Sequence, residues 1–388
     1  MLQRITDRRH DTTTNLLREL VRPPSPDASR ETLHALAEQS DWIVFCWRVH
    51  RSGLAALCYE RLRDYVLVTP RDVMEWLRAG YYQNVAKNLV LLKEFERIVG
   101  EFAQRQIDML TFKGPIIAHL GLGLYARIFS DLDFLVRSED MESVRGLLVS
   151  LGYEEMHMPL HPFHIRYVRM SPAFPVVVEV HFDVVRRGVS YAPDLAGIWE
   201  RSQTLDVSGI RAQVPDIVDH LLLMILQLPH HHWQTRLMVD VAHLASKWKA
   251  TIDWREFVAR ASMWRMRALV GSTVHSLGWM FGLILPDVVQ RFAEPGSYVQ
   301  RVQWRTVKAG VVEQLLGCAP NLSRLASYVA TDDLGAFWQQ MTKKQVVFDV
   351  DELRPYRGLT RNIVLGLRSA PSLLEILLRS LVRTSTSS

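Results

Sequence analysis

The sequence predicts an α+β protein, a sheet-containing core set between two helical regions. Three successive stretches of hydrophobic pattern lead there. Leu91, Leu92, Phe95, Ile98, Val99 and Phe102 recur at three- and four-residue steps, the stripe of a core-facing helix. After about residue 108 the apolar runs become short and rich in β-branched residues, as in strands. From about Pro215 onward the pattern is helical again nearly to the end.

The elements follow in order. Residues 12–21 and 28–39 read as short helices split by the proline-rich stretch Arg22–Asp27, with Asp27 and Ser29 as candidate N-caps of the second. Residues 41–64 read as one helix, and 71–105 as a long one. Asp108–Phe112 is a buried strand, and Pro115 opens a short helix over 115–120, closed by Gly121 and Gly123. Leu132–Val136 is a second strand. Ser138, Glu139 and Asp140 open a helix that runs to about Leu151. Tyr153–Met158, Ile165–Met170 and Val176–Phe182 complete the strands. In the later helical region Pro229, Pro286, Pro295 and Pro320 act as punctuation. Residues 361–383 form a basic amphipathic helix that carries Arg361, Arg368, Arg379 and Arg383, and Thr384–Ser388 form a tail.

With 388 residues and 48% hydrophobic content, the chain has enough material for two or three domains. A charged fraction of 22% excludes a disordered, solvating chain. The formal net charge of +5 permits contact with nucleotides, RNA or anionic lipid and requires none of them. The three cysteines, Cys46, Cys58 and Cys318, have no C-x-x-C spacing, which argues against a disulfide framework or a zinc knuckle. Residues 1–22 lack an apolar segment, and no run reaches the roughly 18 apolar residues of a spanning helix. The expectation is a cytoplasmic protein.

The chemistry concentrates in Ser130-Asp-Leu-Asp-Phe-Leu-Val136. Side chains alternate along a strand, so Asp131 and Asp133 share one face while Leu132 and Phe134 enter the core. Two adjacent carboxylates stay ionised only if something neutralises them. A divalent cation does so, and Mg²⁺ favours one or two carboxylates together with substrate phosphate oxygens. Glu179, the lone charge in Val176–Val180, is the candidate third carboxylate; its bland alternative is an edge-strand surface charge. Alone, D-x-D is a weak motif.

The D-x-D is one of several ordered motifs. Leu110-Thr-Phe-Lys-Gly-Pro-Ile-Ile-Ala-His119 is followed by Tyr125-Ala-Arg-Ile-Phe-Ser-Asp-Leu-Asp-Phe-Leu-Val136, then by Leu151-Gly-Tyr153, Glu179-Val-His181, His230-His-His-Trp-Gln-Thr-Arg-Leu-Met-Val-Asp240 and Ile252-Asp-Trp254. This series resembles the uncharacterised nucleotidyltransferase family of the DNA polymerase β-like superfamily, over roughly residues 40–290. The resemblance implies a small mixed β-sheet core flanked by N-terminal and C-terminal helical regions. Asp131, Asp133 and Glu179 would then be both catalytic and metal-binding, holding Mg²⁺ (or Mn²⁺) under a nucleoside triphosphate. Many superfamily members carry a Gly-Ser pair before the aspartates; Lys113-Gly114 stands there in this chain, as in the narrower family.

The resemblance also implies nucleotide-binding positions at Lys113, Gly114, Arg127, Ser130, His181, His231 and Asp240. Lys113 either meets phosphate or is a solvated strand-end lysine. Gly114 lets backbone N–H groups approach phosphate. Arg127 either binds phosphate or pairs with Asp131. His181 shares the face of Glu179 and either orients an acceptor, acts as a base or is a hydrogen-bonded strand histidine; Asp183 continues that face as a weaker candidate. His231 and Asp240 would line the site from the helical region, while Arg236 and Asp240, four apart, have the spacing of an intrahelical ion pair. Three consecutive histidines at 230–232 point in different directions and lack the spacing of a zinc site. Tyr125 is either a base-stacking or a packing tyrosine.

The expected organisation is a helical region over 1–85, the nucleotidyltransferase core over 86–205, a helical domain walling the cleft over 206–300 and a helical extension over 301–388. The expected activity is Mg²⁺-dependent transfer of a nucleoside monophosphate from a triphosphate to an acceptor, a small molecule or peptide in preference to RNA. The rivals are transfer to RNA or protein, and a non-catalytic nucleotide- or partner-binding module on the same fold.

Overall fold

The computed structural model describes residues 12–24, 30–64, 68–156, 163–185 and 189–317, with residues 323, 326–327 and 329–332. It opens with helices α1 (Thr12–Val21), α2 (Arg30–Glu38), α3 (Trp42–Ser52), α4 (Ala55–Leu62) and the long α5 (Arg71–Gln104). The core runs through β1 (Met109–Thr111), α6 (Pro115–Leu120), β2 (Asp131–Val136), a 3₁₀ turn (Ser138–Asp140), α7 (Met141–Ser150), β3 (Glu154–Met156), β4 (His164–Arg169) and β5 (Val176–His181). Next come α8 (Leu195–Glu200) and a hairpin of β6 (Gln203–Val207) and β7 (Ile210–Val214). Helices α9 (Ile217–His230), α10 (Thr235–Lys247), α11 (Trp254–Met263), α12 (Arg267–Phe281), α13 (Asp287–Ala293) and α14 (Tyr298–Leu315) follow.

The expected α+β class with a small mixed sheet is what the structure has. Five strands pair in the order β1-β2-β5-β4-β3. β2 and β5 are parallel, and the other neighbours are antiparallel. Parallel neighbours need a crossover, which the segment from the 3₁₀ turn through β4 supplies. Asp133 stands opposite Glu179 in the β2·β5 register, and Arg166 stands opposite Glu179 from β4. Glu179 is therefore on a central strand, not at an edge.

One sheet face is apolar because alternate residues on each strand are. Leu132, Phe134, Val178 and Val180 are fully buried there. The stripe of α5 packs against this face, with Phe95 and Phe102 stacked on Phe134 at 6.0 and 5.7 Å between ring centroids. Burial of each such ring contributes about 2–3 kcal/mol. The opposite face carries Asp131, Asp133, Glu179 and His181.

Two sequence expectations need correction. The single helix over 41–64 is two, because Gly53, at φ 67°, ends α3 in the left-handed region and donates to the His50 carbonyl. The hairpin β6–β7 was not expected. Its turn residues Ser208 and Gly209 both have positive φ, at 56° and 86°, and Val207, Ile210, Ala212 and Val214 are buried. Ser-Gly between two alternating runs is a legible hairpin signal. The candidate caps Asp27 and Ser29, residues 157–158, Cys318, Pro320, the helix over 361–383 and the tail 384–388 lie outside the described residues. Among the described residues, no helix is long and apolar enough to cross a membrane.

Burial also gives the fold a pH dependence. His220 holds the Pro215 carbonyl through Nδ1 at 2.9 Å, and His243 holds the Val21 carbonyl through Nε2 at 3.0 Å, tying α10 to α1. Burial pushes both imidazoles down to about 4. An unfolded histidine titrates near 6.5. Between those values the unfolded chain binds more protons, so acid favours unfolding and stability rises with pH. Lowering pH from 7 to 5 is expected to remove on the order of 2 kcal/mol per histidine. Urea midpoints at the two pH values check this; His243→Asn should reduce the difference, and equal midpoints for the wild type would contradict it.

Candidate active site

The site is built where β2, β5 and the start of α6 meet the α9–α10 turn. Lys113 leaves β1 and enters a turn at Gly114, whose φ of 51° favours glycine. A Cβ at Gly114 would lie 3.1 Å from the Asp131 carbonyl, so the close backbone approach also needs glycine. The loop before β2 is pinned from α5. Asn84 donates to the Tyr125 carbonyl at 2.7 Å, and Asn88 donates to the Leu124 and Arg127 carbonyls at 2.7 and 2.8 Å. Both asparagines are buried, so this loop is held by the interior of a long helix.

Asp131 and Asp133 open into one cleft of about 350 Å³, which Lys113, Gly114, Arg127 and Ser130 also line. Glu179, His181 and His231 line it too. Asp133 is 5% exposed, and its Oδ1 accepts from Lys113 Nζ at 2.8 Å and meets His181 Nε2 at 3.0 Å. Burial works against its charge, but the Lys113 ammonium and the His181 contact overcome it and hold the carboxyl well below the usual range. Glu179 accepts from Arg166 Nε at 3.1 Å, with His181 and His164 3.7 and 3.8 Å away. Asp131 makes no hydrogen bond or ion pair among the described residues.

The carboxylates disturb one another. Burial, and then the charge of Asp133, push both Asp131 and Glu179 upward. His181 and His231 move the other way, to about 4, because burial and then the Lys113 charge disfavour their cations. The cleft thus crowds three carboxylates among basic side chains, with two imidazoles beside them whose cations are disfavoured.

Among the described residues, His164, Glu179 and His181 each bring a ligand atom within 4.8 Å of the others. That grouping shares Glu179 with the predicted carboxylate set and adds two nitrogen donors. The open alternatives at Arg127 and Asp240 resolve together. Arg127 Nε donates to Asp240 Oδ1 at 2.9 Å and Nη1 to the Gly114 carbonyl at 3.1 Å. Arg127 therefore pairs with Asp240 rather than Asp131, and Asp240 lies buried behind that guanidinium. The Arg236–Asp240 ion pair suggested by spacing is not formed; Arg236 Nε donates instead to Gln234 Oε1 at 3.1 Å. Tyr125 is 51% exposed on the pinned loop, away from the cleft lining.

Residues 38–282 match the profile of the uncharacterised nucleotidyltransferases, nearly the whole stretch over which the motifs were read. The chain belongs to the uncharacterised nucleotidyltransferase family. The span that matches this nucleotidyltransferase family includes the five-stranded sheet, the pinned loop and the helices α9 to α12. No curated protein matches the chain. A solved structure, an antigenic nucleotidyltransferase-like protein from Paracoccidioides brasiliensis, is 14% identical with a TM-score of 0.30, over 45% of this chain and 87% of that one.

Sequence reasoning missed His164 and Arg166 as site residues of this family member. The signal was present: they alternate on β4, opposite His181 and Glu179. Asn84 and Asn88 left a fainter trace, two amides four apart inside an apolar stripe.

Proposed function

We propose that the protein is a divalent-metal-dependent enzyme that moves a nucleoside monophosphate from a triphosphate to a small-molecule or peptide acceptor, with release of pyrophosphate. The observation that carries this reading is the opening of Asp131, Asp133 and Glu179 into one cleft that Lys113, Arg127 and Arg236 also line. Carboxylates and basic side chains lining one cleft suit a metal–triphosphate, which presents both a cation and an anion. Cavities of a few hundred cubic ångströms also suit small molecules better than a polynucleotide.

The residues fit a divalent cation. Asp131 has a free carboxylate with an upward-shifted pKa, as a group short of a cation would. Oxygen donors suit Mg²⁺, and the neighbouring His164 and His181 nitrogens are also acceptable to Mn²⁺. Asp131, Asp133 and Glu179 would hold it, and when bound it would neutralise phosphate charge during an in-line displacement.

The chain's own groups then have distinct tasks. Lys113, held on Asp133, can turn to a phosphate oxygen, and Arg236 faces the same cleft. An acceptor lone pair forms the new bond to the α-phosphorus while the bond to the bridging oxygen breaks. Pyrophosphate leaves with that electron pair, and the acceptor's proton passes to a cleft carboxylate. The His181 ring titrates near 4 and has Nε2 held at Asp133, which makes it a positioning group. His231 and Ser130 complete the lining, and Gly114 allows the close approach of the loop.

The test is label transfer in cell extract with Mg²⁺. Label at the α-phosphate should move to an acceptor, and label at the γ-phosphate should appear only in pyrophosphate. Transfer of γ-label to the acceptor would replace this reading with a kinase reaction.

A further inference from the structure

A second cavity of about 360 Å³ adjoins the cleft and shares His231 and Arg236 with it. Its other lining residues include His50 and Arg51 from the end of α3, with His232 and Thr235 from the α9–α10 turn. No acidic side chain among the described residues lines it. The lining is therefore cationic or neutral throughout, unlike that of the cleft.

Three features of this wall lack a partner of the opposite kind. Arg236 forms no ion pair among the described residues, and burial followed by the Arg127 charge disfavours its cation. The 13-residue helix α10 begins here with Gln234 at its N-cap, which makes no side-chain cap hydrogen bond; Leu237 N–H donates to the Gln234 carbonyl, and the N–H groups of Thr235 and Arg236 remain available. Thr235, the first residue of that helix, is 2% exposed, and its Oγ1 has no hydrogen-bond partner among the described residues. A buried hydroxyl without a partner costs about 1–3 kcal/mol, so a ligand that accepts from it recovers that cost. The turn itself is strained: His232 and Trp233 have φ of 52° and 57°, and Trp233 is fully buried. Strain of this kind persists where the surroundings fix it, often at a ligand site.

We propose that this cavity is the acceptor subsite and that it takes an acceptor bearing a phosphate group, bound by Arg51, Thr235 and the N-terminus of α10, with Arg236 shared between this phosphate and the triphosphate. Helix N-termini with an arginine are natural phosphate sites. His231 and Arg236 form the border, which sets the rest of the acceptor toward the carboxylate cleft. The acceptor assignment rests on the nucleotidyl-transfer reading; the phosphate site does not.

The experiment is a calorimetric titration of the full-length protein with inorganic phosphate, with Mg²⁺ and an α,β-methylene triphosphate already saturating the cleft. Saturable phosphate binding is expected, weakened about tenfold or more in Arg51→Gln and in Thr235→Val. Arg51 lies on the exposed end of α3 and lines this cavity only, so Arg51→Gln should bind the Mg²⁺–nucleotide as the wild type does. Acetate at the same concentration should bind far more weakly. Equal phosphate affinity in the wild type and both variants, or equal affinity for acetate, would overturn the proposal. If the analogue does not bind but phosphate still depends on Arg51, the anion site stands and the nucleotidyl-transfer reading fails. With an α-labelled, cleavable triphosphate in place of the analogue, a sugar phosphate should take α-label and the same unphosphorylated sugar should not; labelling of both equally would remove the acceptor role.

Discussion

Asp131→Asn is expected to lower nucleotidyl transfer about 10³-fold and to leave the melting temperature equal to or above that of the wild type. The two outcomes have one cause. Asp131 has no ion pair or hydrogen bond among the described residues, and burial and the charge of Asp133 disfavour its ionised form. A carboxyl whose folded pKa lies above its unfolded value weakens the fold when ionised at neutral pH. The neutral amide removes that repulsion with little change of shape. Its cost falls on function, because the charge that burdens the fold is the one a cation needs. Asp133→Asn should reduce transfer as strongly but also reduce stability, since Lys113 is held by that carboxylate at 2.8 Å. Transfer rates and thermal melts of the two variants separate the roles. Wild-type transfer by Asp131→Asn, or a large fall in its melting temperature, would contradict the assignment.

Glu94→Ala is expected to destabilise the protein by about 2–3 kcal/mol. Glu94 lies on the buried face of α5 and accepts from the Tyr153 hydroxyl and from Arg169 Nη2, each at 2.7 Å, and from Arg97 Nε at 3.1 Å. Burial opposes its charge, but the Arg97 and Tyr153 hydrogen bonds overcome that and lower its pKa. The carboxylate thus ties α5 to β4 and to the start of β3. Without it, the two arginines can turn toward water, but the buried Tyr153 hydroxyl loses its acceptor. Tyr153→Phe removes one hydrogen bond and leaves the ion pairs, so it should cost only about 1 kcal/mol. Urea denaturation measures both. Similar midpoints for Glu94→Ala and Tyr153→Phe would show that the ion pairs contribute little.

Much of this was legible in the sequence because it follows from period and spacing. The α5 stripe, the two faces of β2 and the β-branched run of β5 are local properties, and so is the shared face of Asp131 and Asp133. Glu179 stood out as the lone charge in that run, and the family resemblance added the histidine turn. What the sequence could not give was pairing across long separations. Arg127 and Asp240 are 113 residues apart, and nothing local favours that pair over the i,i+4 spacing of Arg236 and Asp240. Glu94 is a charge in a core stripe, and beyond the local Arg97 its partners lie 59 and 75 residues onward. The split at Gly53 was missed because apolar positions continue across it while the backbone reverses hand there. The second cavity was invisible because it joins the end of α3 to the start of α10.

The most direct measurement follows α-labelled and γ-labelled triphosphate side by side, with wild type and Asp131→Asn, in Mg²⁺ and in chelator. Acceptor labelling is expected from the α-position alone, only with the metal, and about 10³-fold less with the variant. Labelling that persists in chelator, or proceeds equally with the variant, would contradict it.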